Sequence, residues 1–338
     1  MPEQPAPLLL FDVGGTDVKA ALTVGPEHAL GPVLRVPVRA HGDVGGSDLV
    51  EQLEGIASQL LGAAVPAAAA VLSPGIVDER ARRTVFAANL GLHDADLPDQ
   101  LSARLGVPVG FGHDVGAAAQ AEMLEGVGPA GSACTLVIVI GTGIASTAFV
   151  RGVRLSVPGA GELGHVPVPG GLVCSCGAIG CLETIASAAA IARAYTRESG
   201  VVVGGSAEVL ARAQAGDAVA KSVWGRAVDA LTYALHWCIG LLGVDRVVIG
   251  GGLSGAGEAL LAPLRTALAA RLSFMSVPDL VIASLGGDAG LRVEPALLHL
   301  DVRGGERGAR RPGGDRSELC VGAGREGLAR GLGAAPEI

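Results

Sequence analysis

The chain has 338 residues, with 25 Lys+Arg against 33 Asp+Glu and a formal net charge of −8. That length suits two domains of ordinary size or one large one. A composition of 49% hydrophobic and 17% charged residues excludes a largely disordered chain, and the acid excess argues against a nucleic-acid partner for the surface as a whole.

The opening MPEQPAPLLLFDVGG has no basic stretch ahead of its short apolar run, so no secretory leader is expected and the location is read as cytoplasmic. LLLFDVGGTDVKAALTVG then predicts a strand, a Gly-Gly turn and a second strand. Residues Ser47 to Gly62 carry apolar groups at helical spacing, with Ser47 as the expected cap. AAAAVLSPGIVD and RTVFAANL read as strands, DQLSARLG as a short helix, VPVGFGHD as a strand and VGAAAQAEMLEG as a helix. This alternation favours an α/β sheet.

Gly126–Ser132 is rich in Gly, Pro and Ser and marks an expected boundary. After it the pattern restarts, since CTLVIVIGTGIASTAFVRG repeats the strand–glycine–strand opening over Thr135–Val150. Helices are expected over Leu182–Ser199 and Ser206–Leu242, then a buried strand RVVIGGG and an amphipathic helix GEALLAPLRTALAARL. No run of 18 uncharged apolar residues occurs anywhere, so no membrane partner is expected. The Gly/Arg-rich tail 302–338 lacks a sustained apolar period and is read as weakly ordered.

Several clusters carry chemistry. In Asp12-Val-Gly14-Gly15-Thr16-Asp-Val-Lys19, glycines after a strand open backbone N–H groups to phosphate oxygens, and a carboxylate at the strand end suits Mg²⁺. A plain hairpin turn is the other reading. Gly141-Thr142-Gly143 repeats that small-residue turn, and Gly250-Gly251-Gly252 would let a base or ribose lie on bare backbone. Asp114 follows a strand and opens a helix, where it suits a general base toward a hydroxyl or an N-cap.

His165, Cys174, Cys176 and Cys181 have the composition of a closed tetrahedral Cys3His zinc site, with redox cysteines as the alternative. Glu162 and Glu183 flank that segment. A metal-stapled loop would hold both in fixed directions, as gripping a polyol requires; capping or surface glutamates are the other reading.

Taken in order, DVGGTDVK, SPGIVD, AANL, GTGI, GELGH, CSCGAIGCLE and VVIGGG resemble the motifs of the ROK family of sugar kinases and sugar-responsive repressors, over roughly Leu8 to Leu300. GELGH followed by CxCGxxGCxE is the most specific of them. The resemblance implies an α/β, actin-like ATPase (ribonuclease H-like) fold, two domains around a cleft. These would be a small domain, 1–118 plus a C-terminal helix at about 288–301, and a larger one, 119–287. It implies ATP-dependent phosphorylation of a hexose, glucose foremost, with N-acetylmannosamine, mannose, allose or fructose as alternatives, and a non-catalytic sugar-binding regulator as a further one.

By position it makes Asp114 the catalytic base and His113, Glu162, His165 and Glu183 sugar ligands alongside it. Asp12, Gly14, Gly15, Thr16, Lys19, Gly141, Thr142, Gly143, Gly251 and Gly252 become the ATP and Mg²⁺ region. It also implies a homodimer or homotetramer. Repressors of the family carry a helix-turn-helix module before the phosphate motif; eleven residues precede Asp12 here, so an enzyme is expected. His113 stands where the family usually has Asn, and Gly116 where a second Asn is common. GTGIAS replaces the usual GTGIGG, and Glu294 and Pro295 fall within the expected last helix.

Overall fold

The computed structural model describes residues 6–24, 29–39, 43–62, 64–157 and 159–292. The tail 302–338, with Glu294 and Pro295, lies outside them. Of the expected last helix, only a 3-10 stretch, Gly286–Arg292, is described.

The apolar opening becomes β1 (Leu8–Val13), which turns at the glycines into antiparallel β2 (Asp17–Val24). The edge strands β3 (Ala29–Leu30) and β4 (Leu34–Pro37) pair with β2. Helix α1 (Ser47–Leu61) follows. Its cap is Gly46 in the left-handed region rather than Ser47, because Asp43 Oδ2 takes the Ser47 N–H at 2.7 Å. Buried β5 (Ala68–Ser73) lies parallel to β1. A small antiparallel sheet, β6 (Ile76–Asp78), β7 (Arg83–Ala87) and β8 (Leu92–Ala95), extends from it. Helix α2 (Leu97–Leu105) then leads to β9 (Val109–His113), parallel to β5.

Helix α3 (Asp114–Leu124) leaves the end of β9 and precedes a second sheet. There β10 (Cys134–Ile140) and β11 (Ile144–Val150) form the second hairpin, β12 (Val153–Arg154) adds to β11, and β13 (Arg246–Gly250) and β14 (Asp279–Ile282) run parallel to β10. The sheet orders β3-β2-β1-β5-β9 and β12-β11-β10-β13-β14 thus share one plan, an antiparallel hairpin followed by two parallel strands.

The two long helices expected between these strands are each two. α4 (Glu183–Ala186) and α5 (Ala188–Ser199) part at Ser187, which is extended and caps α5 by accepting the Ala190 N–H at 3.1 Å. α6 (Ser206–Gln214) and α7 (Ala218–Leu242) part at Gly216 and Asp217; Asp217 Oδ1 accepts the N–H groups of Val219 and Ala220 at 2.8 and 3.0 Å. α8 (Glu258–Arg271) completes the second lobe.

The largest apolar core joins β10, β11 and β13 to helices α5, α7 and α8, and a second core lies between the first sheet, α1 and α2. α3 belongs to both lobes. Ala117 and Ala121 pack with Leu10, Ala70 and Leu72, whereas Ala119 and Met123 pack with Val137, Phe149 and Val248. A helix rich in alanine fits closely between two sheets, and its N-terminus is held where both meet. No helix among the described residues is long and apolar enough to cross a membrane.

Candidate active site

Two cavities meet at the β9–α3 junction. The larger, about 790 Å³, is lined by His113, Gly116, Ser146, Thr147 and Glu162, and by Glu79, Arg154 and Ser156. The smaller, about 220 Å³, is lined by Asp12, Gly14, Lys19, Asp114, Gly250 and Gly251 and by the 286–290 segment. Consecutive residues therefore face different cavities, His113 the larger and Asp114 the smaller.

The capping role open to Asp114 falls to His113, whose Nδ1 accepts the Gly116 N–H at 3.1 Å. Asp114 Oδ1 accepts the Val115 N–H at 2.6 Å. Burial pushes the Asp114 carboxyl up to about 6; Asp12 pushes the same way, while His113, the Val115 N–H and Lys19 oppose. A carboxylate so raised is a stronger base than an exposed aspartate.

On the smaller cavity's wall, buried Asp12 pairs through Oδ2 with Lys19 Nζ at 2.8 Å, and Lys19 also donates to the Gly287 carbonyl at 2.7 Å. Gly14 closes its own turn by donating to Asp17 O at 2.8 Å, and Gly15 and Thr16 are exposed beside it. Gly251 sits at φ +79°, and a Cβ there would lie 2.5 Å from the Ile140 carbonyl oxygen. Only glycine fits this approach of β13's end to β10. Gly252 starts the 3-10 turn after it.

Gly141, Thr142 and Gly143 line neither of these two cavities. Gly141 bonds within its own turn and to the Ala188 N–H. Glu183, expected beside a sugar, is not among the residues that line the larger cavity; its Oε2 accepts the Ile144 N–H at 2.9 Å, and its carboxylate fills the space of a side chain at Gly143. It thus ties the second glycine turn to α4.

The Cys/His segment folds on itself through Gly177 and Gly180, both at positive φ, and through bridges Pro167–Cys181 and Val173–Ile179. The donor atoms of His165, Cys174, Cys176 and Cys181 all lie within 4.8 Å of one another. Cys176 Sγ is 3.7 Å from Cys181 Sγ, and Cys174 Sγ is 3.7 Å from His165 Nδ1. Sulfurs bonded tetrahedrally to zinc at about 2.3 Å stand about 3.8 Å apart, so the donor set fits that ion. The other imidazole nitrogen, Nε2, lies 3.8 Å from Glu162 Oε2. The metal segment and the larger cavity are thereby joined through one histidine.

Glu79 and Arg154 had no signal in the sequence. A charged residue after a strand reads as a solvated one, and nothing local tells that these two, 75 positions apart, face each other.

These features together suit a phosphotransferase, with the buried Asp114 carboxylate between two cavities, one of them lined by glycines, by Lys19 and by acidic side chains. A sequence model described as ROK family matches residues 11–299. The glucokinase of Halalkalibacterium halodurans is 37% identical over 65% of this chain and 72% of its own, and that of Thermotoga maritima 32% over 88% and 98%. The N-acetylmannosamine kinase of Escherichia coli O157:H7 is 32% identical over 84% of this chain and 95% of its own. A crystal structure of a ROK family glucokinase from Streptomyces griseus, in complex with glucose and AMPPNP, superposes with a TM-score of 0.70 at 25% identity, covering 84% of this chain and 96% of that one. The chain belongs to the ROK family and is a sugar kinase of the actin-like ATPase fold.

Proposed function

We propose that the protein transfers the terminal phosphoryl group of ATP to a hydroxyl of glucose, giving glucose 6-phosphate and ADP. The observation that carries this reading is the place of Asp114, at the joint of two cavities and with its pKa raised to about 6. The smaller cavity takes the phosphate end of ATP against Gly14, Lys19 and Gly251; Gly15, Thr16, Gly252 and the Gly141–Thr142–Gly143 turn, which are not part of its wall, are assigned to the nucleotide by their motifs alone. The larger takes the sugar, with His113 and Glu162 presenting polar groups to its hydroxyls.

Asp114 takes the proton of the attacking hydroxyl as its oxygen bonds to the γ-phosphorus and the bond to the ADP oxygen breaks. A sugar hydroxyl is a weak acid, and phosphoryl transfer depends on alignment and charge more than on covalent help from the protein. Lys19 supplies positive charge to the phosphates once its pairing with Asp12 is shared with them. Mg²⁺, when bound with ATP, neutralises phosphate charge, and Asp12 is the carboxylate that would hold it.

His165, Cys174, Cys176 and Cys181 would hold zinc as a structural staple, with His165 Nε2 directed to Glu162 so that the metal loop fixes a sugar-binding carboxylate. Glu183 acts one step removed, by holding the glycine turn. We read the domain division at 118/119, inside α3, which supports closure of the cleft about that helix.

N-acetylmannosamine is the second reading, supported by the kinase for that sugar matching nearly as well as the glucokinase of Thermotoga maritima. ADP release measured over a hexose panel decides between them: glucose turning over fastest supports the first, N-acetylmannosamine the second.

A further inference from the structure

Three donors from two lobes converge on one carboxylate at the wall of the larger cavity. Glu79 follows β6 in the first lobe. Its Oε1 accepts the His113 backbone N–H at 3.0 Å. Its Oε2 accepts the Ser156 hydroxyl at 2.8 Å and an Arg154 guanidinium N–H, both from the β12 edge of the second lobe. The side chains of Glu79 and Arg154 are only 11% and 18% exposed. Burial works to raise the Glu79 carboxyl, but Arg154, the His113 N–H and Ser156 outweigh it and hold Glu79 below the usual carboxylate range.

Arg154 has room to reach this point because residue 116 is glycine; a Cβ there would collide with the guanidinium. Exposed ion pairs contribute little. This one is largely buried, and the same carboxylate holds the amide of the residue before Asp114.

We propose that Glu79 is a positioning residue that latches the two lobes over the sugar cavity through Arg154 and Ser156 and, through the His113 amide, sets the approach of Asp114 to the hydroxyl. The latch rests on the reading of Asp114 as base and of the larger cavity as the sugar site. The two functions of Glu79 are separable. Arg154 and Ser156 act on closure, and hence on sugar affinity. The amide bond acts on the base, and hence on turnover. A glutamine at position 79 keeps an oxygen for the amide and loses the charge that holds Arg154.

The test is steady-state kinetics, with hexose and ATP varied separately, on wild type, Arg154→Met, Glu79→Gln and Glu79→Ala, alongside the radius of gyration of each by X-ray scattering without sugar. Arg154→Met is expected to raise the hexose KM about tenfold, as loss of a half-strength buried pair gives. Its kcat and ATP KM should stay within about twofold, and its sugar-free radius of gyration should increase. Glu79→Ala is expected to raise the hexose KM similarly and also lower kcat by about tenfold. Glu79→Gln should restore kcat but not KM.

If Glu79→Ala fails to fold, the pair Glu79→Gln and Arg154→Met carries the test: each raises KM, and the double variant adds nothing to either. An unchanged hexose KM in Arg154→Met, or a kcat in Glu79→Gln as low as in Glu79→Ala, overturns the latch. If wild type phosphorylates no sugar, the functional reading fails instead, and an unchanged radius of gyration in Arg154→Met then overturns the latch independently.

Discussion

His113 and Asp114 are consecutive residues whose side chains meet, with Nε2 of the imidazole 3.5 Å from Oδ1 of the carboxylate. Because Nδ1 accepts the Gly116 N–H, the neutral ring carries its proton on Nε2, on the side of Asp114. The helix cap thus also orients the imidazole beside the proposed base. His113 lowers the Asp114 pKa, so His113→Ala should move the lower inflection of the pH–rate profile above about 6. It should also cost about 1 kcal/mol through the lost cap. His113→Asn should show the same upward shift with stability retained, since an asparagine caps as well. A profile unmoved in both variants would separate His113 from the base.

Asp114 itself sets a pH dependence of rate. With its carboxyl at about 6, kcat/KM for the sugar should fall tenfold per unit below that pH and level off above it. Asp114→Asn should lower kcat by about 10³-fold. Rate measured from pH 5 to 9 in both proteins checks this.

The same group sets a pH dependence of stability with the opposite sense. A carboxyl raised on folding is held protonated more tightly by the native than by the unfolded chain, so its contribution is greatest at low pH and is lost as pH rises through about 6. Asp114→Asn should therefore be more stable than wild type at pH 8, by on the order of 2 kcal/mol, with the difference vanishing near pH 4. Thermal melts at the two pH values measure it.

Much of this was legible in the sequence, for reasons tied to particular residues. The glycine hairpins after β1 and β10 and the Cys/His spacing are local patterns, and each folds as its spacing requires. The helix breaks at Ser187 and Gly216-Asp217 were legible too, as a serine cap and a glycine–aspartate stop and start, but an unbroken apolar period hid them. Glu183 shows what local pattern leaves out. Its place beside the metal loop suggested the sugar, and nothing local told that its carboxylate also accepts the Ile144 N–H, 39 residues away. Glu79 and Arg154 were beyond reach for the same reason, since their pairing depends on how two lobes meet.

Metal removal gives a further test. The preparation should contain one zinc per chain, and Cys174→Ser should lose it. Because His165 connects the metal segment to Glu162, loss of the metal should raise the hexose KM by about 10- to 100-fold and leave the ATP KM near its normal value. Equal damage to both constants would place the staple's effect on the whole fold.

Gly251→Ala should destabilise the protein by about 2 kcal/mol or more. The new Cβ meets the Ile140 carbonyl oxygen at 2.5 Å, and the backbone is held at φ +79°. Gly252→Ala, with open space around it, should cost under about 1 kcal/mol. Denaturant titration of the pair distinguishes a steric role of the first glycine from a general need for small residues.

The most direct test is ADP release by the purified protein with ATP and each of a panel of hexoses, run in parallel on Asp114→Asn. The expected result is release that requires both substrates, is fastest with glucose, yields glucose 6-phosphate, and falls about 10³-fold in the variant. Release independent of any hexose, or an Asp114→Asn protein as fast as wild type, would contradict it.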